Sequence, residues 1–338
     1  MSSVKIKEIY LENYCGFRNV TFNFQERNGN IKPLSAFYGT NGTGKSTLLQ
    51  AFYMLGNAKR LKGMDLETIK LSFRKMTYHK DYDPTYAGFN KSEEPMIIVG
   101  KFMVDGEEKR VILNSEHGVV SNELPYSPMG HTYLINADSP MEMNRFQMSH
   151  EKSEMFLDMA GKFYGFNCQL EKPIDIETDT IANTIDNMVG EGKEIQNCVY
   201  TDFVISKNRN KTKVHFKNMS DGEKKIATLL RDLCNPIYID DIDIILIDNA
   251  EQHIYKDRHY MLYDQLLEKF PTKQILMTTH SAVLVGFKTK DRLVSGYIPK
   301  KYLYNIDKYQ ELSWRRVNAN NKRKAADNTR KDKADSKG

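Results

Sequence analysis

The feature that most restricts the fold of this chain is a glycine-rich stretch, GTNGTGKS, at residues 39–46. It follows PLSAFYG (33–39), an apolar segment typical of a strand, and leads into KSTLLQAFYML (45–55), an apolar-rich segment typical of a helix. The stretch matches GxxxxGK[ST] at every defined position, between the strand and helix that give this motif its meaning. The sequence therefore predicts a phosphate-binding loop (P-loop) in an α/β fold.

The residue types of the loop predict how it binds a nucleoside triphosphate. Glycine lets the loop wrap closely, so that its backbone N–H groups and the N-terminus of the following helix converge on phosphate oxygens. Lys45 is expected to reach the β- and γ-phosphates, and the Ser46 hydroxyl to bind Mg²⁺. The predicted nucleotide contacts in this loop are Gly39, Asn41, Gly42, Gly44, Lys45, Ser46 and Thr47.

The bulk composition excludes several classes of protein. With 40% hydrophobic and 28% charged residues, a chain of 338 residues can form one large globular domain or two ordinary ones. No apolar stretch approaches the ~20 residues of a membrane helix, and the N-terminal MSSVKIKEIYLENY lacks the apolar segment of a secretory signal. Scattered cysteines without a CxxC pair favour reduced thiols, so a cytoplasmic location is expected: Cys15, Cys168, Cys198 and Cys234.

The net charge of +5 is unevenly distributed. Residues 315–338 carry nine Lys or Arg and three Asp, a charge of 9 − 3 = +6, and residues 59–80 carry seven Lys or Arg and two acids, 7 − 2 = +5. The remainder is 5 − 6 − 5 = −6, so two basic segments are joined to an acidic body. This pattern indicates local contact with an anionic partner such as DNA or another nucleic acid.

The two basic segments differ in character. The predicted insertion 59–95 interleaves its cations with Phe73, Tyr78 and Tyr82, which suits phosphate contact and base stacking, although a solvated lobe or a protein-docking surface fits as well. The tail 315–338 has almost no large apolar residue, and we expect it to be disordered.

The remaining periodicities predict the rest of the fold. Strands and helices alternate, which indicates a mostly parallel central sheet with antiparallel hairpins attached. We expect one head domain over residues 1–314, with a helical lobe at 115–200. The predicted elements are a hairpin at 96–114 turning at Asp105-Gly106, a helix at 149–164 capped by Ser149, a hairpin at 199–216, a helix from Ser220, strands at 242–248 and 274–280, and a helix at about 256–270.

A second motif, NMSDGEKKIATLL, lies at residues 218–230. Ser220, Gly222 and Glu223 precede an amphipathic helix, where they form either an anion site at the helix N-terminus or a simple capping box. The motif follows a P-loop and precedes a strand ending in Asp248 and another ending in His280. In that order, the motifs resemble those of ABC-type ATPase heads of the RecF, SMC and OLD group, from VKIKEIYLENYCGFRNVTF to TTHS.

The resemblance implies a P-loop NTPase fold of the ABC type, ATP as the nucleotide, and a homodimer or higher homo-oligomer formed on ATP. Ser220, Gly222 and Glu223 would be the signature facing the γ-phosphate bound by a second protomer. Asp248 would hold Mg²⁺, and His280 would be the switch histidine. Gln147 is a candidate magnesium-sensing residue, with an ordinary surface glutamine as the alternative.

Two details refine this resemblance. Lys45 and Ser220 are only 220 − 45 = 175 positions apart without sustained heptads, so the match is to a compact RecF- or OLD-type head rather than to an SMC protein with long coiled coils. The chain departs from the family in reading Asn13-Tyr14-Cys15 where Asn-Phe-Arg is usual, so an arginine contact from that position is in doubt, although Arg18 is near.

The catalytic position is also unusual. Asp248 is followed by Asn249, where a carboxylate that activates water is expected, and an amide cannot accept a proton although it can orient water. Glu251 is the nearest candidate base, and OLD-type heads often read Asp-Glu-x-Glu. Side chains alternate in an extended chain, so we expect Asn249, Glu251 and His253 to share one side, towards the γ-phosphate, with Asp248 on the other. Glu251 could instead pair with Lys256 or another cation, or hydrolysis could be very slow.

Three functional hypotheses follow. The first is an ATP-driven dimer that acts on DNA, in repair or in defence against foreign DNA, and regulates a separate effector such as a nuclease, with no membrane partner. The second is a nucleotide-gated scaffold with very low turnover. The third, the ATPase subunit of a transporter, is less favoured because SDGEKK lacks the Gln-Arg that follows the transporter signature.

Overall fold

The structure is a computed structural model of the 338-residue chain. It describes residues 3–14, 16–62, 95–128, 134–136, 146–171, 197–200, 202–207, 212–235, 239–288 and 293–309. The tail 315–338, nearly all of the basic insertion and Cys15 lie outside these ranges, so the expectations for them remain predictions. No helix among the described residues has both the length and the hydropathy of a membrane span.

The elements are numbered in chain order. The helices are α1 Lys45–Gly56, α2 Ala58–Leu61, α3 His150–Tyr164, α4 Asp221–Cys234, α5 His259–Lys269 and α6 Ala282–Val285. The strands are β1 Val4–Glu12, β2 Val20–Asn23, β3 Leu34–Tyr38, β4 Ile97–Val104, β5 Glu107–Asn114, β6 Gly118–Asn122, β7 Leu134–Asn136, β8 Phe146–Ser149, β9 Asn167–Leu170, β10 Asn197–Tyr200, β11 Phe203–Lys207, β12 Thr212–His215, β13 Ile244–Asp248, β14 Gln274–Thr279, β15 Gly286–Lys288, β16 Leu293–Ser295 and β17 Leu303–Asn305.

The chain forms two compact units. The first contains residues 1–128, 276–280 and 299–338, and the second contains residues 129–275 and 281–298. In the first unit, β17, β3 and β14 are neighbours in that order, and β17 pairs with β3 in parallel. In the second unit, β13 pairs with β7 in parallel. Because parallel strands alternate with helices in the sequence, the predicted α/β class is confirmed.

An antiparallel sheet in the first unit has the order β2-β1-β4-β5-β6. Its β4–β5 hairpin pairs Val104 with Glu107, and the two residues between them, Asp105 and Gly106, have φ of 51° and 89°. Two consecutive positive φ angles define the turn whose twist matches paired strands, which is why Asp-Gly occurs here. The predicted hairpin and its turn are confirmed.

Aromatic side chains fill the core of the first unit around the P-loop elements. Phe37 of β3 contacts Phe22, Phe52 of α1 and Tyr304, with ring centroids 6.0, 5.7 and 5.3 Å away. Such pairs contribute roughly 0.5–1.5 kcal/mol each beyond the area they bury. The strand before the P-loop and the helix after it are therefore fixed by the same aromatic cluster.

The second unit differs in one place from the sequence expectation. Its described residues up to Tyr200 include one long helix, α3, and the short strands β7 to β10, and the helical lobe expected at 115–200 stays a prediction. The hairpin expected at 199–216 consists of β11 and β12, whereas β10 pairs with β8. Short strands of mixed polarity carry no partner information in their own sequence, and the pairing is therefore set by tertiary contacts.

Candidate functional site

The P-loop has the backbone that its glycines permit. Gly42 and Gly44 have φ of 77° and 86°, in the left-handed region where a side chain is strained, and Gly44 is the N-cap of α1. The helix begins at Lys45, so its first free N–H groups point into the loop. Ser46 and Thr47 are half-buried in its first turn, and Asn41 is exposed at the tip of the loop.

Lys45 lies within this loop. Its side chain is only 6% exposed, and Nζ donates hydrogen bonds to the carbonyl oxygens of Gly39 at 3.1 Å and Thr40 at 2.8 Å. The ammonium is thus held among the loop residues predicted to surround the phosphates. A cation and backbone N–H groups gathered in a glycine cradle fit a polyphosphate with Mg²⁺.

Asp307 is a P-loop contact that the sequence reasoning missed. Its carboxylate accepts hydrogen bonds from Thr40 N at 3.1 Å and Thr40 Oγ1 at 2.9 Å. A Cβ placed on Gly39 would lie 3.1 Å from Asp307 Oδ1, so the first glycine of the motif allows the close approach of this carboxylate. Thr40 and Asp307 are 267 positions apart and Asp307 belongs to no motif, so no local signal could have indicated the contact.

Ser220, the first signature residue, is exposed at the N-cap of α4. Ser220 N and Oγ both donate to Glu223 Oε2 at 2.9 Å, and Glu223 N donates to Ser220 Oγ at 3.4 Å. The capping box considered from the sequence is therefore present. It does not exclude the anion site, because the N-terminus of α4 still carries its partial positive charge.

Lys207 at the end of β11 completes this arrangement. Its Nζ lies 2.7 Å from Glu223 Oε1. Burial alone would raise the pKa of Glu223, but the Lys207 ammonium and the two donors of Ser220 outweigh it and lower that pKa below its ordinary value of 4.5. The signature end of α4 thus holds a carboxylate and an ammonium beside an exposed hydroxyl.

A cavity of about 240 Å³ opens beside the signature. Its lining combines aromatic, cationic and signature residues, among them Phe166, Lys207, Ser220, His253, Tyr255 and Arg258. All of them belong to the second unit. The exposed face of the signature is therefore concave.

The chain turns immediately after Asp248, which corrects the expectation of an extended segment. Asn249 has φ of 51°, Gln252 N donates to Asn249 O, and Ile254 N donates to Glu251 O. Residues 249–254 form consecutive turns, so side chains do not alternate, and the prediction that Asn249, Glu251 and His253 share one side was based on a wrong premise. Asp248 and Glu251 are 4% and 8% exposed, and buried carboxylates of this kind are suitable ligands or bases.

This turn contacts the signature helix. Lys225 Nζ of α4 lies 2.9 Å from His253 Nε2, and His253 has φ of 69°. A Cβ on Gly222 would lie 3.7 Å from the His253 carbonyl oxygen. A change at the N-terminus of α4 can therefore reach the turn that follows Asp248.

Three other residues discussed from the sequence lie at separate positions in the fold. His280 is exposed directly after β14. The backbone of Gln147 lies in β8 opposite Val199. Tyr14 is buried and exchanges two backbone hydrogen bonds with Phe17, so it provides an aromatic side chain where the family has Phe. The proposed roles of these residues stay predictions.

Comparison with known proteins identifies the family. A family model described as an AAA ATPase domain matches residues 4–236, more than half of the chain. The chain belongs to the AAA ATPase domain family. Its fold is shared with an SMC head bound to the C-terminal winged-helix domain of ScpA, at 15% identity and a TM-score of 0.52 over 81% of this chain and 89% of that one. The resemblance to SMC-type ATPase heads is therefore confirmed at the level of the fold.

Two further proteins are similar. The Septu protein PtuA of Bacillus mycoides (strain KBAB4) is 20% identical over 330 residues, which cover 89% of this chain. This chain spans only 43% of that relative's length. The recombination mediator RecF with ATP is 13% identical over 86% of this chain and 94% of that one, with a TM-score of 0.40.

Proposed function

We propose that this ATPase-family chain binds ATP with Mg²⁺ at residues 39–46 and hydrolyses it at a modest rate. The observation that carries the proposal is the P-loop itself, with left-handed Gly42 and Gly44 and with Lys45 Nζ held within the loop. Magnesium, when bound, would neutralise phosphate charge, and the family resemblance assigns it the side-chain oxygens of Ser46 and Asp248, which are of the kind it prefers.

Hydrolysis needs a group that accepts the proton of the attacking water. Glu251 is assigned this role because it is a buried carboxylate three residues after Asp248, whereas Asn249 can only orient water. His280 is assigned the γ-phosphate contact by family resemblance, and its exposure after β14 leaves it accessible. Gln147 remains the candidate magnesium-sensing residue.

We propose that the signature of one protomer contacts the ATP bound by a second protomer. Ser220 is exposed at a helix N-terminus and borders a concave surface, so it can meet a phosphate carried by another copy. ATP would then stabilise a homodimer that ADP does not. The dimer would couple the nucleotide state to DNA or to a separate effector protein such as a nuclease.

The setting of this activity rests on charge and similarity. The two basic segments suit a nucleic acid. Of the settings implied by the family resemblance, DNA repair and defence against foreign DNA, the similarity to the Septu protein PtuA supports the second.

The nucleotide site is tested with Lys45→Ala. Removing the cation that reaches the phosphates should abolish ATP binding while the fold persists. The matched control is Lys301→Ala, an exposed lysine of the same unit that pairs with Glu26. Binding is measured by titration with a fluorescent ATP analogue, and undiminished affinity in Lys45→Ala would remove the P-loop assignment.

The dimer is tested with Ser220→Arg. A bulky side chain at this N-cap should prevent ATP-dependent dimerisation while leaving ATP affinity unchanged. Ser149→Arg is the matched control, because the Ser149 side chain also caps a helix, accepting a hydrogen bond from Lys152 N. Molar mass in ATP and in ADP is measured by light scattering. ATP-dependent dimers of Ser220→Arg equal to wild type would contradict the signature assignment.

A second candidate function is a nucleotide-gated scaffold that hardly hydrolyses ATP. It is favoured by one observation, the amide of Asn249 where a carboxylate is usual. A phosphate-release assay with DNA present separates the two functions. Sustained release supports the ATPase, and ATP-dependent dimers without release support the scaffold.

A further inference from the structure

A buried histidine outside every motif lies between two segments of the candidate site. His259, the first residue of α5, is 6% exposed. Its Nδ1 lies 2.6 Å from Ser281 Oγ, and its Nε2 lies 2.8 Å from the Ile254 carbonyl oxygen. One imidazole thus links two chain segments that are well separated in the sequence.

The hydrogen-bond partners determine where the ring carries its proton. A carbonyl oxygen can only accept, so Nε2 must be the protonated nitrogen. In the neutral ring Nδ1 then accepts from the Ser281 hydroxyl, whose oxygen in turn accepts from Leu284 N at 3.2 Å. Every group in this chain of hydrogen bonds is used, which fixes the orientation of the ring.

The two linked segments carry candidate catalytic residues. Ile254 ends the turn that contains Asn249 and Glu251, and Ser281 directly follows His280. The turn includes two non-glycine residues with positive φ, Asn249 and His253, a conformation that persists only where surrounding contacts hold it. The bond from His259 to Ile254 O is such a contact at its far end.

We propose that His259 is a positioning residue for ATP hydrolysis, holding both the turn with Glu251 and the backbone after His280. The inference rests on the proposed ATPase function and adds to it a residue that touches no nucleotide. Because reaction rates are sensitive to displacements of about 1 Å, loss of the imidazole should lower kcat by about 10- to 100-fold. Affinity for ATP should stay within about twofold of wild type, because the P-loop contacts that bind the nucleotide do not change.

Three substitutions separate the two hydrogen bonds. His259→Leu removes both. His259→Gln can place an amide N–H near the position of Nε2 and restore the bond to Ile254 O, whereas His259→Asn places its amide near Nδ1, towards Ser281. If the turn is the segment that matters most, kcat should rank wild type, Gln, Asn, Leu. Gln265→Leu is the control, since Gln265 is buried on the same helix but contacts neither segment by a hydrogen bond.

The measurements are kcat and KM for ATP, affinity for a non-hydrolysable ATP analogue, and hydrogen–deuterium exchange of residues 249–254 and 282–285. We expect reduced kcat, unchanged affinity and faster exchange at these residues in His259→Leu, with partial recovery in His259→Gln. Wild-type kcat in a folded His259→Leu protein, or equal losses in affinity and kcat, would overturn the inference while leaving the ATPase proposal standing. If His259→Leu does not fold, Ser281→Ala and His259→Gln are judged by the same criteria. Absence of hydrolysis in wild type would instead refute the proposed function.

Discussion

Substitution of Asn249 by Glu tests both the chemistry and the backbone of the turn after Asp248. A carboxylate would stand beside Asp248, where ABC-type heads usually carry the base, so turnover should rise, with ~10²–10⁴-fold as the upper range for a positioned base. The backbone conformation, in contrast, predicts that the substitution destabilises the fold. Asn249 has φ of 51°, and an ordinary L-residue there costs roughly 1–2 kcal/mol, of which Asn avoids a part.

The expected net destabilisation is therefore about 1 kcal/mol, or about fivefold in the folding equilibrium constant. For a chain of this size, that corresponds to a fall in Tm of about 2 °C. Asn249→Gly is the matched control, because glycine accepts positive φ but has no side chain. It should keep the Tm close to wild type and lower the turnover if the amide orients water.

Phosphate release and thermal unfolding are measured on the same preparations. A folded Asn249→Glu enzyme that is slower than wild type would show that a carboxylate at this position cannot reach the water. A Gly variant as unstable as the Glu variant would refute the argument from φ.

Three further predictions follow from the same residues. Glu251→Gln should preserve ATP binding and dimerisation but cut phosphate release ~10²-fold, and more than Asn249→Ala does, since only proton acceptance is lost; the reverse ranking would make Asn249 the main water-positioning group. Gln265→Leu should raise the free energy of unfolding by on the order of 1 kcal/mol in urea titration, because it removes buried amide atoms that have no hydrogen-bond partner among the described residues. Lys207 and Ser220 hold the pKa of Glu223 below 4.5, so its stabilising contribution is complete above pH 4.5 and is lost as the pH falls through the folded-state pKa. The Tm difference between wild type and Glu223→Gln should therefore narrow from pH 6 to pH 3, and a constant difference would contradict this assignment.

Local signals in the sequence predicted local structure well. The N-caps Ser149 and Ser220, the Asp105-Gly106 turn and the helix after the P-loop depend on residues within a few positions of one another. Their hydrogen bonds are formed by neighbours, so their residue types indicate them directly.

Contacts between distant segments could not be predicted in this way. Asp307 reaches Thr40 across 267 positions, and His259 reaches Ser281 across 22. An aspartate after a strand and a histidine at the start of a helix are ordinary in isolation. Only the tertiary structure, which brings a hydrogen-bond partner from a distant segment to each side chain, distinguishes them from surface residues.

The asparagine at position 249 has two possible explanations, one from the catalytic motif and one from the backbone conformation. Compared with the usual motif, asparagine replaces a catalytic carboxylate and suggests a weakened enzyme. The observed φ of 51° supplies a separate reason, because asparagine is among the few non-glycine residues that adopt the left-handed conformation readily. The residue is therefore suited to its turn whatever its part in hydrolysis. Asn249 alone is therefore weak evidence for a low-turnover scaffold, and Glu251, a carboxylate that the same turn buries two residues later, is the candidate base.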